Sequence, residues 1–160
     1  MTSPHTFRSA MAAFASGVTV ITTTDEDAKP YGFTATSFCS VSLSPPLLLV
    51  CLAQTANCYP VFASCARFAV SMLRDGQDEV ALRFATTRAD KFGSGIVSRT
   101  PAGLPVIDSA LCAIECSIQD RYDAGDHMLL LGRVDWVQFQ NGAPLIYFNR
   151  AFHRLSSSTS

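Results

Sequence analysis

Nine consecutive residues, Thr34-Ala35-Thr36-Ser37-Phe38-Cys39-Ser40-Val41-Ser42, carry five hydroxyls among small neighbours. Hydroxyls and free backbone N–H groups donate to phosphate oxygens, and each hydrogen bond to a charged group is worth about 1.5–3 kcal/mol. An ordinary strand with Thr and Ser on its exposed face has the same composition, and composition alone favours that plainer reading. Two further groups have chemical potential. Gly125-Asp126-His127 offers an imidazole that can bond a substrate or move a proton near neutral pH, although His and Asp are also common turn residues. Lys91, in Asp90-Lys91-Phe92, can pair with a phosphate, although a lone loop lysine is more often solvated surface.

The sequence has no Gly-x-Gly-x-x-Gly, no phosphate-binding P-loop and no Gly-x-Ser-x-Gly. The three histidines stand far apart. The six cysteines, at 39, 51, 58, 65, 112 and 116, form no Cys-x-x-Cys pair. Cys112 and Cys116 have no second pair of ligands nearby, so no metal site is expected. The thiols are expected to be reduced and mostly buried.

The elements that must position these groups follow from pattern. Ser3-Pro4 predicts a helix start. Phe7, Met11 and Phe14 then give one apolar face, and Gly17 ends the helix. Val18 to Thr24 is a β-branched strand, Asp25 to Pro30 a turn, and Gly32 to Val41 a second extended run. Leu47 to Leu52 is a continuous apolar strand, expected to be buried on both faces. Asn57 caps a short helix to Ser64, and Arg67 to Leu73 is a strand. Asp75 caps a helix reaching about Thr86, with Val80 and Phe84 on one face. Asp90 to Pro105 reads as irregular. From Leu111 to Ile118, Cys112, Ile114, Cys116 and Ile118 share one face, with Glu115 and Ser117 on the other. A polar turn from Arg121 to His127 leads into a long strand, Met128 to Phe139. Asn141-Gly142 signals a tight hairpin into a closing strand, Leu145 to Phe148. About seven strands without βαβ alternation predict a mainly β fold, a closed antiparallel Greek-key barrel with a few short helices.

The chain has 160 residues, which suits one domain over 1–160, with short disordered ends at 1–3 and 156–160. It is 48% hydrophobic and only 16% charged, with mean hydropathy +0.22. That apolar surplus needs cover from a dimer interface or a flat cofactor. The net charge of −1 and the scattered basic residues argue against nucleic acid. The longest apolar stretch, Leu47 to Ala53, is far too short for a bilayer. Met1 to Ala10 does not read as a signal peptide, so a cytoplasmic location is expected.

The motifs gain meaning in order. Phe7-Arg8-x-x-Met11, Gly17-Val18-Thr19-Val20, Gly32-x-Thr34-Ala35-Thr36-Ser37-Phe38, Ser40-Val41-Ser42-Leu43-x-Pro45-Pro46-Leu47, Phe68-Ala69-Val70-Ser71-x-Leu73, Gln77, Phe84, Asp90-Lys91-Phe92, Gly125-Asp126-His127 and Pro144-Leu145-x-Tyr147-Phe148 follow one another from about residue 7 to 155. Each is weak alone, but the set resembles the short-chain flavin reductase family. The resemblance implies a flavin-binding split barrel that passes hydride from NADH or NADPH to FMN, FAD or riboflavin. It further implies a homodimer that supplies reduced flavin to a flavin-dependent monooxygenase, with flavin as an exchangeable substrate. Thr34, Ala35, Thr36 and Ser37, with Ser40 and Val41, resemble the stretch holding the flavin and its ribityl–phosphate chain. Cys51 and Leu52 resemble positions bordering the isoalloxazine. Thr55 and Asn57 fall where a small polar residue lies near the phosphate, and Lys91 where a basic residue approaches it. His127 resembles the histidine that positions the nicotinamide, and Tyr147 and Phe148 the aromatic edge of the pocket. The family commonly has Asn at the positions of Thr36 and Ser71. Another redox enzyme on the same barrel, of the pyridoxamine phosphate oxidase kind, and a non-catalytic flavin-binding protein remain the competing readings.

Overall fold

The computed structural model describes residues 1–93 and 95–156. Its elements run α1 (Pro4–Ala12), β1 (Ser16–Gly17), β2 (Thr19–Thr24), β3 (Pro30–Ala35), β4 (Phe38–Leu43), β5 (Pro46–Ala53), α2 (Tyr59–Ser64), β6 (Arg67–Met72), α3 (Asp78–Ala85), β7 (Val97–Arg99), β8 (Pro105–Ile107), β9 (Cys112–Ala124), β10 (His127–Phe139), β11 (Ile146–Phe148) and β12 (Ala151–His153). Seven of the strands form one antiparallel sheet in the order β3-β2-β6-β9-β10-β5-β4. The pairings β2–β6 and β5–β10 join strands distant in sequence, as a Greek-key fold requires.

The expectation of a closed barrel is corrected here. β3 and β4 are the two edges of the sheet and share no ladder. The chain steps between them across Thr36 and Ser37, where the Phe38 N–H donates to the Thr36 carbonyl at 3.1 Å. This tight reversal also divides the single run expected from Gly32 to Val41 into two strands. A seam is therefore left open at the hydroxyl-rich segment.

The β-branched run of β2 is buried from Thr19 to Thr23. Ile21 enters a core with Phe33, Val50, Phe62, Phe68 and Leu130. Val20 faces a second core with Leu73, Phe84 and Leu145. Burying its threonines is tolerable because each hydroxyl is satisfied. Thr19 donates to the Ala35 carbonyl at 2.8 Å and Thr23 to the Arg67 carbonyl at 2.7 Å, while Thr22 donates to the Pro105 carbonyl. Gly32 allows α3 to settle on β3, since a Cβ there would lie 2.9 Å from the Phe84 ring.

Other expectations change in detail. β5 is not buried on both faces: Leu48, Val50 and Leu52 point inward, and Leu47, Leu49 and Cys51 are half-buried. Its neighbours are antiparallel, so one face carries the burial. Ser3 does cap α1, accepting from the Thr6 N–H, and the helix stops at Ala12, short of Gly17. Neither Asn57 nor Asp75 caps a helix: Cys58 and Gln77 hold those places. The Gln77 side chain instead ties the Arg74 N–H to the Asp108 carbonyl. The segment read as irregular contains β7, which pairs with β8. The polar turn read from Arg121 to His127 is mostly strand, with β9 continuing to Ala124. Glu115 is buried, 3% exposed, under an ion pair with Arg67 at 2.9 Å. Asn141-Gly142 does not close a hairpin: the Asn141 carbonyl accepts from Arg74, and β11 pairs with β1. The hairpin falls later, at Asn149-Arg150, where both φ are positive, as a two-residue turn of this class requires. Asn149 N–H donates to the Ala12 carbonyl at 2.7 Å, anchoring that turn on α1. The tail from 157 to 160 lies outside the described residues.

All six cysteines are free; Cys58 and Cys116 are buried and Cys39 is exposed. Burial, first, and the Asp135 and Glu115 carboxylates push the Cys116 thiol up to about 12. A thiol reagent at about pH 8 is expected to modify Cys39 quickly and Cys116 only on unfolding, because the thiolate is the reactive form. Peptide mapping after a short pulse of labelling checks this, and early modification of Cys116 contradicts it.

Candidate functional site

The open seam between β3 and β4 leads into a cleft of about 350 Å³. One wall is the seam itself, Thr34 to Ser37; the C-terminal end of β5 supplies Cys51, Leu52 and Ala53. The loop into α2 contributes Asn57 and Cys58, and the end of α3 contributes Phe84. Lys91 and His127 complete the rim. β3 and β5, near opposite ends of the strand order, meet across the open seam, which is why residues so far apart in sequence line one cleft. A larger hollow, about 590 Å³, has Asp25, Glu26 and Asp27 on its rim and no cation among its lining residues. It is unsuited to an anionic ligand.

Lys91 is the lysine of the cleft. Its Nζ donates to the Gly32 carbonyl at 2.9 Å, which fixes the amine against β3. Burial lowers its pKa from 10.5, and the neighbouring Cys58 thiol pulls weakly the other way. Burial likewise pushes the Cys58 thiol up. It pushes up Cys51 too, against the hydrogen bond from Ser37. The Ser37 hydroxyl also donates to the Cys51 carbonyl at 3.3 Å, linking the two walls.

Backbone donors add to the lysine. The N–H groups of Thr36, Ser37 and Asn57 have no protein acceptor among the described residues. The Thr36 hydroxyl is unengaged, whereas the Thr34 hydroxyl is spent on the Ala81 carbonyl, locking α3 to β3. Opposite, His127 Nδ1 lies 2.7 Å from Asp126 Oδ1. This bond fixes Nδ1 as the donor in the neutral ring and leaves Nε2 as an acceptor. The same bond, and then the charge of His127, hold the Asp126 carboxyl below its ordinary value. One cation, a row of free N–H groups and an apolar floor of Leu52, Ala53 and Phe33 fit a phosphate-bearing aromatic ring.

Of the residues singled out from sequence, Thr34, Ala35, Thr36, Ser37, Cys51, Leu52, Asn57, Lys91 and His127 line this cleft. Five do not. Ser40 and Val41 lie on β4 beyond the seam, where both are exposed. Thr55 is on the correct loop but outside the lining. Tyr147 and Phe148 sit on β11, in the small sheet with β1 and β12. Tyr147 packs against Phe152 with ring centroids 5.5 Å apart. Ser71 is buried and accepts from the Ile107 N–H at 2.9 Å, so its departure from Asn concerns the β6–β8 contact rather than the cleft. Sequence reasoning missed Phe33, Ala53, Ala56, Cys58, Phe84, Ala85 and Thr87. Their types are those of core and loop residues, and only the tertiary fold brings them to the cleft.

Residues 11–156 match the family described as the flavin reductase like domain. The chain is 49% identical over 152 residues to an actinorhodin polyketide dimerase of Streptomyces coelicolor, covering 94% of this chain and 86% of that protein. It is 40% identical over 159 residues to an NADH:riboflavin 5'-phosphate oxidoreductase of Streptomyces pristinaespiralis, covering 98% and 90%. The solved structure of an NADH:FAD oxidoreductase from Streptomyces globisporus, in complex with NAD and FAD fragments, superposes with a TM-score of 0.93 at 32% identity, covering all of this chain and 99% of that one. Further relatives are named as reductase components of flavin-dependent monooxygenases. Some are longer: the chain spans only 57% and 44% of two from Rhizobium meliloti.

Proposed function

The chain belongs to the flavin reductase-like family, and from that premise we propose that it is an NAD(P)H-dependent flavin reductase supplying reduced flavin to a partner monooxygenase. The observation that carries this reading is the cleft itself. Nine residues chosen for a flavin and a nicotinamide converge on one opening with a single lysine and free backbone donors. The bound rings supply the redox chemistry, a hydride passing from reduced nicotinamide to flavin. The protein's part is to bind and orient. Lys91 and the N–H groups of Thr36, Ser37 and Asn57 hold phosphate oxygens, Leu52 and Ala53 form the apolar bed, and His127 Nε2 takes a hydrogen bond from the dinucleotide. No residue here is asked to move a proton.

Oxidation of NADH and NADPH, followed spectrophotometrically with and without FMN, FAD or riboflavin, tests the reading. NADH consumption that depends on added flavin supports it, and flavin binding without NADH or NADPH oxidation overturns it. His127→Ala is expected to raise the KM for NADH several-fold with a smaller change in kcat, since a positioning contact is removed. A severe loss of kcat at unchanged KM contradicts that role.

The dimerase relative favours a second reading, in which the protein itself takes part in dimerising a polyketide. Dimer formed from a monomeric polyketide by the purified protein with NADH, FMN and dioxygen as the oxidant, and no added oxygenase, would establish it. We further propose that residues 1–160 act as one domain in the cytoplasm, as a homodimer. α1 buries none of its residues and leaves Phe7 and Met11 exposed, as is Phe14 just after it, an apolar face that a second copy covers. Light scattering that finds a monomer at assay concentrations contradicts the dimer.

A further inference from the structure

A second, smaller hollow shares a wall with the cleft. It measures about 150 Å³ and has mostly apolar walls. Val18 and Leu73 form its buried floor; Phe38, Met72 and Leu111 form its sides. Gly17 lines it, and a Cβ built there meets no atom within 4 Å. Of its polar side chains, Thr19 is already committed to the Ala35 carbonyl. Ser16 and Thr36 are not, and of these two Thr36 lines both this hollow and the larger cleft.

From this geometry we propose that the hollow is a binding site for a monocyclic aromatic molecule of the phenol class, and that its occupancy is felt in the neighbouring cleft through Thr36. Size sets the ligand class. An apolar cavity of about 150 Å³ takes one benzene-sized ring, whereas sites for larger ligands run to about 300–1,000 Å³. A tricyclic flavin ring does not fit. The free Thr36 hydroxyl at the wall gives a phenolic O–H its partner, and the flexible Met72 lets the side wall adapt. The coupling route is short. Thr36 belongs to the two-residue seam, its carbonyl accepting from Phe38 N–H while the adjacent Ser37 carbonyl accepts from Cys51 N–H at 3.3 Å. A ring lodged against Phe38 and Thr36 holds that seam in one setting, and with it the free N–H groups of Thr36 and Ser37. The binding claim stands on the hollow alone; the coupling claim rests also on the flavin reading.

Calorimetric titration of the intact protein with phenol, with cyclohexanol as the non-aromatic control, tests both. Phenol is expected to bind one per chain and more tightly than cyclohexanol. Phenol and FMN are expected to change each other's Kd by one common factor, as linkage demands. Gly17→Leu, which fills the hollow, is expected to weaken phenol by roughly tenfold or more while leaving FMN binding in the absence of phenol unchanged. Leu111→Ala, which enlarges it, is expected to admit 2-naphthol. Phenol binding that neither substitution alters, or no binding up to the solubility limit, overturns the site. Strict competition between phenol and FMN overturns its separateness, and mutual indifference overturns the coupling. Because binding is read by heat, phenol binding in a protein that oxidises no NADH counts against the proposed reductase activity and not against this site.

Discussion

Replacing Lys91 with alanine is expected to raise the KM for FMN by about ten- to a hundredfold and to leave that for riboflavin unchanged. The size follows from a charged hydrogen bond worth about 1.5–3 kcal/mol, which converts at about 1.4 kcal/mol per factor of ten. Riboflavin lacks the phosphate and so does not report the loss. Arginine is a poor substitute. The lysine amine is half-buried and pinned to the Gly32 carbonyl, a place for a compact ammonium rather than a planar fork. The same residue predicts a pH limb. Because burial lowers the Lys91 pKa from 10.5, its charge is complete at low pH and fades at a lower pH than that of a free lysine. The KM for FMN therefore climbs as pH rises toward that value, while riboflavin and the Lys91→Ala protein show no such limb. Steady-state kinetics across pH with both flavins measure this, and a parallel rise for FMN and riboflavin in the variant removes Lys91 from the phosphate.

The largest expected loss of stability comes from Phe68→Ala. Phe68 is fully buried on β6 and opposes Cys116 on β9. Its ring fills the space over Gly132 of β10, where a Cβ would lie 2.5 Å from Phe68 Cζ and 2.9 Å from Cys116 Cβ. Truncating the ring costs about 3–5 kcal/mol. Gly132→Ala, which overfills the same point, costs about 1–3 kcal/mol. The double variant is expected to be more stable than the sum of the two losses allows, because the alanine methyl enters space the ring has left. Contacting pairs of this kind couple by about 0.5–3 kcal/mol. Denaturant melts of the four proteins measure the cycle, and strict additivity would falsify the contact as the cause.

Local chemistry was legible in the sequence wherever it decided the structure alone. The Thr-rich run of β2, the Ser3-Pro4 helix start and the Cys112–Ile118 pattern each specify their element, and each element is seen, although Glu115 on the polar face of β9 is buried. What escaped was tertiary. Nothing in Gly32 to Val41 marks the break at Thr36, since both halves are good strand sequence. Asn141-Gly142 carries the strongest hairpin signal, yet the flanking segments find other partners, Arg74 and β1. The family resemblance implied that Tyr147 and Phe148 edge the cleft, but β11 pairs with β1 and neither residue is in the cleft lining. Phe84 and Cys58 look like core, and they are; they line the cleft because the seam leaves that part of the core within reach.

The seam also bears on rates. A cleft that widens between two bonded strands must break a ladder of hydrogen bonds in sequence. Here β3 and β4 have no ladder to break, and the walls part on release of the two Ser37–Cys51 hydrogen bonds and the bending of two residues. Such loop-scale displacements belong to nanoseconds and microseconds, far shorter than turnovers at typical enzyme rates of about 1–1,000 per second. Escape of a reduced ring from this opening is then paced by the ring's own contacts with Lys91 and the free amides, and tightening those contacts would slow delivery to whatever waits outside.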